Sequence, residues 1–256
     1  MLVSPCDETM KHAFLMAMLV AAVTATQAEL TPSQIAKKAF PSTLLIVTQD
    51  ESGQPLSIGS GFFVEKGIIA TNYHVIEGAS SAYARLVTEK TKYKIKWVSG
   101  IDETNDLALL EADNKTAPPM TLNPSSKDIN IGESIFSVGN PKGLEGTFSS
   151  GIISGVRNLE KTKLYQITAP ISPGSSGGPV LDSNGSVIGI AVAMLKSGQN
   201  LNFAVPVNYL HLLIKEGVFT TSGERVGRVI KTFDELKNKK TKSKQSSFWH
   251  GTNNKN

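Results

Sequence analysis

Gly174, Ser175, Ser176, Gly177, Gly178 and Pro179 form a run in which a serine hydroxyl stands among glycines. Glycine lets successive backbone N–H groups turn to one side, an arrangement suited to holding an oxyanion. A serine hydroxyl is a weak nucleophile near neutral pH. Covalent chemistry at Ser176 therefore requires a histidine base and a carboxylate that fixes the tautomer of that base. Without such partners the same run is an ordinary turn, since Gly and Ser are common turn residues.

The chain holds four histidines. His12 lies in an apolar N-terminal run, His250 in a polar tail, and His211 beside the helical stripe Leu210, Leu213 and Ile214. His74 remains. It follows two apolar runs, Phe62 to Val64 and Ile68 to Ala70, broken by Glu65, Lys66 and Gly67, a hairpin pattern that delivers Thr71 to His74 at a strand end. Among the carboxylates, Asp106 opens the short apolar run Leu107 to Leu110 and is placed to be buried against an imidazole. Asp102 and Glu103 compete, but their polar surroundings read as a solvated loop. Asp182, with Ser183, Asn184 and Gly185, lies between two apolar runs and reads as hairpin-turn chemistry.

The order His74, Asp106, Ser176, with separations of 32 and 70 residues, and the strings around each residue resemble the trypsin-like serine proteases, most of all their bacterial HtrA (Deg) branch. Gly59 to Phe62 with Thr71 to Val75 resembles the GSG strand and TNxHV histidine motif of that family. Asn105 to Leu110 resembles its aspartate motif. Gly174 to Pro179 resembles its GNSGGP motif, with Ser175 in place of the usual asparagine. Val138 to Gly143, followed by Ser150 to Ser154, is similar to the IGNPFG and SGIVS strings that open the second barrel of the family. The resemblance covers about residues 35 to 215.

The resemblance implies a His74, Asp106, Ser176 triad and an oxyanion hole built from the N–H groups of Gly174 and Ser176. It also implies a specificity pocket drawn from Ala169, Pro170, Ile171, Ala191, Val192, Ala193, Asn202, Phe203 and Ala204. No acidic residue occurs in that set. A basic substrate side chain would be buried there without a counter-ion, so small to medium aliphatic residues are expected before the scissile bond, with Phe203 narrowing the pocket. The expected activity is a serine endopeptidase acting on polypeptides in protein quality control or in degradation of unfolded or host proteins. No metal or cofactor is expected. The competing reading, from a different class, is a catalytically silent binding or chaperone-like module with the same fold.

These residues need a scaffold, and the chain between Pro41 and Pro206 supplies short runs rich in Val, Ile, Phe and Ala, separated by Gly, Asn, Ser and Pro clusters. That is an all-β pattern. Six strands are expected over 43–48, 61–64, 68–71, 83–87, 93–98 and 107–111, and six more over 134–138, 148–156, 164–168, 179–181, 187–192 and 201–205. The fold expected is two antiparallel six-stranded β-barrels, at about 41–118 and 125–206, with a short C-terminal helix over 208–216. His74 and Asp106 would then lie on one side of a cleft and Ser176 on the other.

With 40% hydrophobic and 19% charged residues, the composition is that of a globular protein able to build a sizeable core. Residues 1–28 read as a secretory signal: Ala13 to Val23 is an apolar run after Lys11, and Ala25 and Ala28 suit cleavage. Asp7 and Glu8 are out of place in such a signal, so translation is expected to begin at Met10, which would omit Cys6, the single cysteine. Export to the periplasm or the medium is expected, with no membrane span after cleavage. The protease domain is expected over 29–217. Residues 225–256 hold nine basic against two acidic residues, a charge of +7 that leaves −3 on the rest. The pI of 9.0 thus reports the tail rather than the domain. The stretch 218–256 reads as a basic disordered tail, with contact to anionic lipid, polymer or nucleic acid as the sharper alternative. It is too short for the PDZ domain that commonly follows in HtrA proteins, which leaves a homo-oligomer as an open expectation.

Overall fold

The structure, a computed structural model, describes residues 29–124, 129–141, 144, 146–159, 162–192, 202–216 and 232–233. The expected signal, most of the tail and Ala193 lie outside the described residues.

The chain enters through helix α1 (Pro32–Ala39). Thr31 caps it reciprocally: Gln34 N–H donates to Thr31 Oγ1 at 3.3 Å while Thr31 N–H donates to Gln34 Oε1 at 2.8 Å. Pro32 opens the helix, where its missing N–H costs nothing, and Ile35 and Ala39 are buried. The strand pattern gave no warning of this helix, although Thr31 followed by Gln34 three residues later is a readable start signal.

Twelve strands follow and close two antiparallel six-stranded barrels. The first comprises β1 (Thr43–Gln49), β2 (Pro55–Glu65), β3 (Ile68–Thr71), β4 (Ser81–Leu86), β5 (Lys92–Asp102) and β6 (Leu107–Ala112), in the spatial order β1-β2-β3-β6-β5-β4. The second comprises β7 (Ser134–Gly139), β8 (Thr147–Leu159), β9 (Thr162–Ile167), β10 (Pro179–Leu181), β11 (Val187–Val192) and β12 (Asn202–Pro206), in the order β10-β11-β12-β9-β8-β7. A single helical turn, α2 (Tyr73–Ile76), follows β3, and α3 (Val207–Glu216) closes the fold. The strand set and the terminal helix match the sequence expectation, but β2 and β5 run well beyond it. The outer half of β2 is largely exposed and is held by pairing with β1, with Val47 opposite Ile58 and Thr48 opposite Ser57. It therefore carries no burial pattern that a sequence could display.

Alternation of side chains across each strand divides the core into three clusters. Leu44, Ile46, Phe63, Ile69 and Leu110 fill the first barrel, and Ile135, Ile153, Ile167, Val180 and Ile188 fill the second. The third joins the barrels: Phe62, Val64, Leu107 and Leu109 meet Val138, Leu181, Ile190 and Val205, covered by Ile35 of α1 and Leu210 and Leu213 of α3. Phe62 and Phe63, adjacent in sequence and both fully buried, serve different clusters. His211, on α3, lies 2.8 Å from the Asn123 carbonyl through Nε2, a contact that ties the helix to the chain before the second barrel. Phe233 is buried against the first-barrel cluster, so at this position the tail is packed rather than solvated.

Candidate active site

Asp106 sits in the turn between β5 and β6 and is fully buried. It adopts a left-handed backbone with φ 54°, which aspartate tolerates better than most residues. Both its side chain and its carbonyl serve the segment that carries His74. Oδ2 lies 2.7 Å from His74 Nδ1, and Oδ1 accepts from the His74 N–H at 2.8 Å. The Asp106 carbonyl accepts from Asn72 Nδ2 at 2.9 Å and from the Tyr73 N–H at 3.2 Å. A carboxylate only accepts, so Nδ1 carries the proton and Nε2 presents its lone pair outward, as a general base requires.

The competing carboxylates have other work. Asp102 ends β5 and accepts from the Asn105 N–H at 3.0 Å and from Asn105 Nδ2 at 2.6 Å. It thus shapes the turn that presents Asp106, a structural duty rather than the solvated one expected of it. Glu103 is exposed in that turn, in line with its polar surroundings. The turn is also gripped from the second barrel, where Thr162 Oγ1 donates to the Thr104 carbonyl at 3.0 Å and to Asn105 Oδ1 at 3.1 Å. Asp182 accepts from the N–H groups of Asn184 and Ser186, both at 2.9 Å, the hairpin role read from its neighbours.

Opposing influences act on the His74 imidazole. Burial presses its pKa down, but the Asp106 charge and hydrogen bond, with a contribution from Glu77, more than offset this and leave it above the ordinary histidine value. The neighbouring Tyr73 phenol is pushed up to about 12 by burial and by Glu103, Glu77 and Asp106, and so stays protonated.

Ser176 lies on the loop before β10, which is tied to both barrels. The Gly177 N–H donates to the Ala191 carbonyl at 2.9 Å, and the Ala191 N–H donates back to the Gly178 carbonyl at 2.9 Å. Across the boundary between the barrels, the Ser60 N–H of β2 donates to the Ser176 carbonyl at 2.7 Å. Gly177 has φ 86°, and a Cβ there would overlap the Ser60 carbonyl and Thr71 Oγ1 and stand 3.1 Å from the Asn72 nitrogen. A Cβ on Gly59 would meet Val75 at 2.6 Å and the Ser176 carbonyl at 3.2 Å. The nucleophile loop therefore packs on the same residues, Gly59, Ser60, Thr71 and Asn72, that lead into His74. Ser175 backs against Gly139 at the end of β7.

The residues expected to line the specificity pocket divide by strand face. Ala169, Ala191 and Ala204 lie in the second-barrel cluster, with Ile171 partly buried beside them. Val192 and Phe203 point the other way, into the cluster between the barrels. Asn202 Nδ2 donates to the Ala169 carbonyl at 2.9 Å, and Pro170 is exposed. Neighbouring side chains of the set thus turn to opposite sides, because adjacent residues on β11 and β12 alternate. Ser60, Thr71, Asn72 and Asn140 were given no role by sequence reasoning, although each is polar, fully buried and adjacent to a glycine, an apolar strand or a motif histidine.

The chain is similar to several known proteins. "Protease Do-like 1, chloroplastic" of Arabidopsis thaliana is 38% identical over 177 residues, 63% of this chain and 39% of that protein. A "Probable periplasmic serine endoprotease DegP-like" of Halomonas elongata is 36% identical over 168 residues, 62% of this chain and 35% of that protein. The chain spans less than two thirds of the length of these relatives. Among solved structures, the serine endoprotease from Yersinia pestis matches 75% of this chain and 68% of its own, with TM-score 0.65 and 25% identity. The HtrA-type protease AlgW with tripeptide matches 73% and 63%, with TM-score 0.65 and 29% identity. The profile described as "Trypsin-like peptidase domain" matches residues 59–190, just over half of the chain. On that coverage and on these likenesses, the chain belongs to the trypsin-like peptidase domain family, with relatives among the Do-like and HtrA-type proteases.

Proposed function

We propose that the protein is a serine endopeptidase that hydrolyses polypeptides through an acyl-enzyme. The observation that carries this reading is the paired contact of Asp106 with both the Nδ1 and the backbone N–H of His74, beside a serine loop docked on the same strands. His74 Nε2 takes the Ser176 hydroxyl proton as Oγ attacks the scissile carbonyl carbon. The tetrahedral oxyanion then collapses, the C–N bond breaks, and His74 passes its proton to the leaving amine. Water, deprotonated by His74, attacks the ester, releases a carboxylic acid and restores the Ser176 hydroxyl. Asp106 holds the tautomer and stabilises the imidazolium. The Gly174 and Ser176 N–H groups would receive the oxyanion, each such donor commonly being worth about 3 kcal/mol.

The substrate class proposed is unfolded or host protein met after export, to the periplasm or the medium, with cleavage after small to medium aliphatic residues. Of the residues expected in the pocket, Ala169, Ile171, Ala191 and Ala204 support this preference, being apolar and grouped in the second-barrel cluster. The test is digestion of casein and of a peptide library by folded protein. Cleavage after Ala, Val or Ile, abolished in Ser176→Ala, supports the proposal. Cleavage after Lys or Arg would overturn the specificity, and no cleavage of any peptide would favour the binding-module reading.

A further inference from the structure

We propose that Ser60 is a positioning residue that fixes the shape of the oxyanion loop, with its own hydroxyl aimed by Asn140; this rests on the catalytic reading above. Ser60 lies on β2 of the first barrel, is fully buried, and reaches the nucleophile loop of the second barrel at two points. Its hydroxyl donates to the Gly174 carbonyl at 2.7 Å, and its backbone N–H donates to the Ser176 carbonyl at 2.7 Å. Gly174 and Ser176 are the two residues whose N–H groups would receive the oxyanion. One residue therefore holds the carbonyls of both donor residues.

The direction of the hydroxyl follows from its partners. A serine oxygen has one proton to give and two lone pairs. Asn140 N–H and Asn140 Nδ2 both donate to Ser60 Oγ, each at 3.0 Å, which occupies the lone pairs and leaves the proton for Gly174. The Asn140 amide cannot be reversed. Its Nδ2 also donates to the Leu44 carbonyl at 2.9 Å, while its Oδ1 accepts from the Gly146 N–H at 3.2 Å. Asn140 and Ser60 are both fully buried, so this network exchanges nothing with solvent and has a single satisfied arrangement.

The loop needs such a restraint. Gly174 has φ 98°, a region open to glycine, and glycine on its own leaves the neighbouring peptide groups free to rotate. Among the described residues the Gly174 N–H donates to no protein acceptor, so nothing else bonded to that amide sets its direction. Transition-state stabilisation by backbone donors depends on their being aimed before the charge develops. The Ser60 hydroxyl holds the Gly174–Ser175 peptide plane, whose N–H donates to the Ser172 carbonyl at 2.9 Å, and so restrains the Gly174 torsions about which the preceding Gly174 N–H turns.

The experiment compares wild type, Ser60→Ala and Ser60→Cys. The thiol retains the size of the side chain but is a poor donor. Active sites are titrated with a fluorophosphonate over long exposure, so that kcat is expressed per competent site. The expected result is a roughly 10- to 100-fold fall in kcat for Ser60→Ala and a smaller fall for Ser60→Cys, with KM changed little. Affinity for a peptide boronate, which forms a tetrahedral adduct on Ser176, should fall in parallel. The acid limb of the pH profile should not move, because Ser60 touches neither His74 nor Asp106. A lower unfolding temperature with kcat per site and boronate affinity within twofold of wild type would overturn the proposal and leave Ser60 as a purely structural residue. Should Ser60→Ala not fold, Ser60→Cys carries the same comparison. Absence of labelling in wild type would instead overturn the catalytic reading on which the proposal rests.

Discussion

At the scale of single residues, Asp106 shows how much a buried carboxylate can organise. It binds the Nδ1 and the backbone N–H of His74 through separate oxygens and holds Asn72 and Tyr73 through its carbonyl. Asp106→Asn would keep the size of the side chain but offer an NH2 to one of those contacts, driving His74 toward the tautomer with its proton on Nε2. A fall in kcat of about four orders of magnitude near neutral pH is expected in a peptide assay, with little change in KM. The pH dependence has a definite sign. With the His74 pKa held above its ordinary value, the base is protonated and idle to a higher pH than free imidazole, so the acid limb of kcat/KM shifts toward alkaline pH. Glu77 contributes to that rise, and Glu77→Gln should move the limb back toward acid, as measured by kcat/KM against pH. The same shift makes a stability contribution. It is fully present below the ordinary histidine value, where the imidazolium faces Asp106, and is lost as pH rises through the folded-state value.

At the scale of elements, the nucleophile loop is held by close approach as much as by hydrogen bonds. Gly177 combines a positive φ with a position where any Cβ would run into the β2 backbone at Ser60 and the Thr71 side chain. Gly177→Ala should therefore cost about 1–3 kcal/mol in denaturant unfolding and reduce turnover far more than the loss of folded protein explains. Much of this scaffold was readable in the chain. Ile68–Thr71 and Leu107–Ala112 are apolar runs with polar flanks, and they pair with each other through Ile69 and Leu110. Their ends present His74 and Asp106, which is why residue type and order were enough to find that pair. The roles of Ser60 and Asn140 were not legible for a physical reason. Their partners are carbonyls 114 and 96 residues away, and nothing in the local sequence marks which carbonyl a buried hydroxyl or amide will meet. The faces of β11 and β12 are hidden for a similar reason: alternation along them is predictable, but which face looks into the second barrel is decided only when the barrel closes.

At the scale of the whole molecule, two barrels share one apolar seam. Phe62, Leu107 and Leu109 from the first barrel and Ile190 and Val205 from the second make that seam continuous, so the relative placement of His74 and Ser176 is set by core packing. Polar ties cross the same boundary at Thr162 to Asn105, at Ser60 to Gly174 and at Asn140 to Leu44. On the function proposed above, the two halves together form a working acyl-transfer site centred on Ser176. A fluorophosphonate probe tests it most directly. Folded protein should be labelled on Ser176, with labelling abolished in Ser176→Ala and reduced at least a hundredfold in rate in His74→Ala. Folded wild-type protein that takes up no label, or takes it up equally well in His74→Ala, would contradict the account.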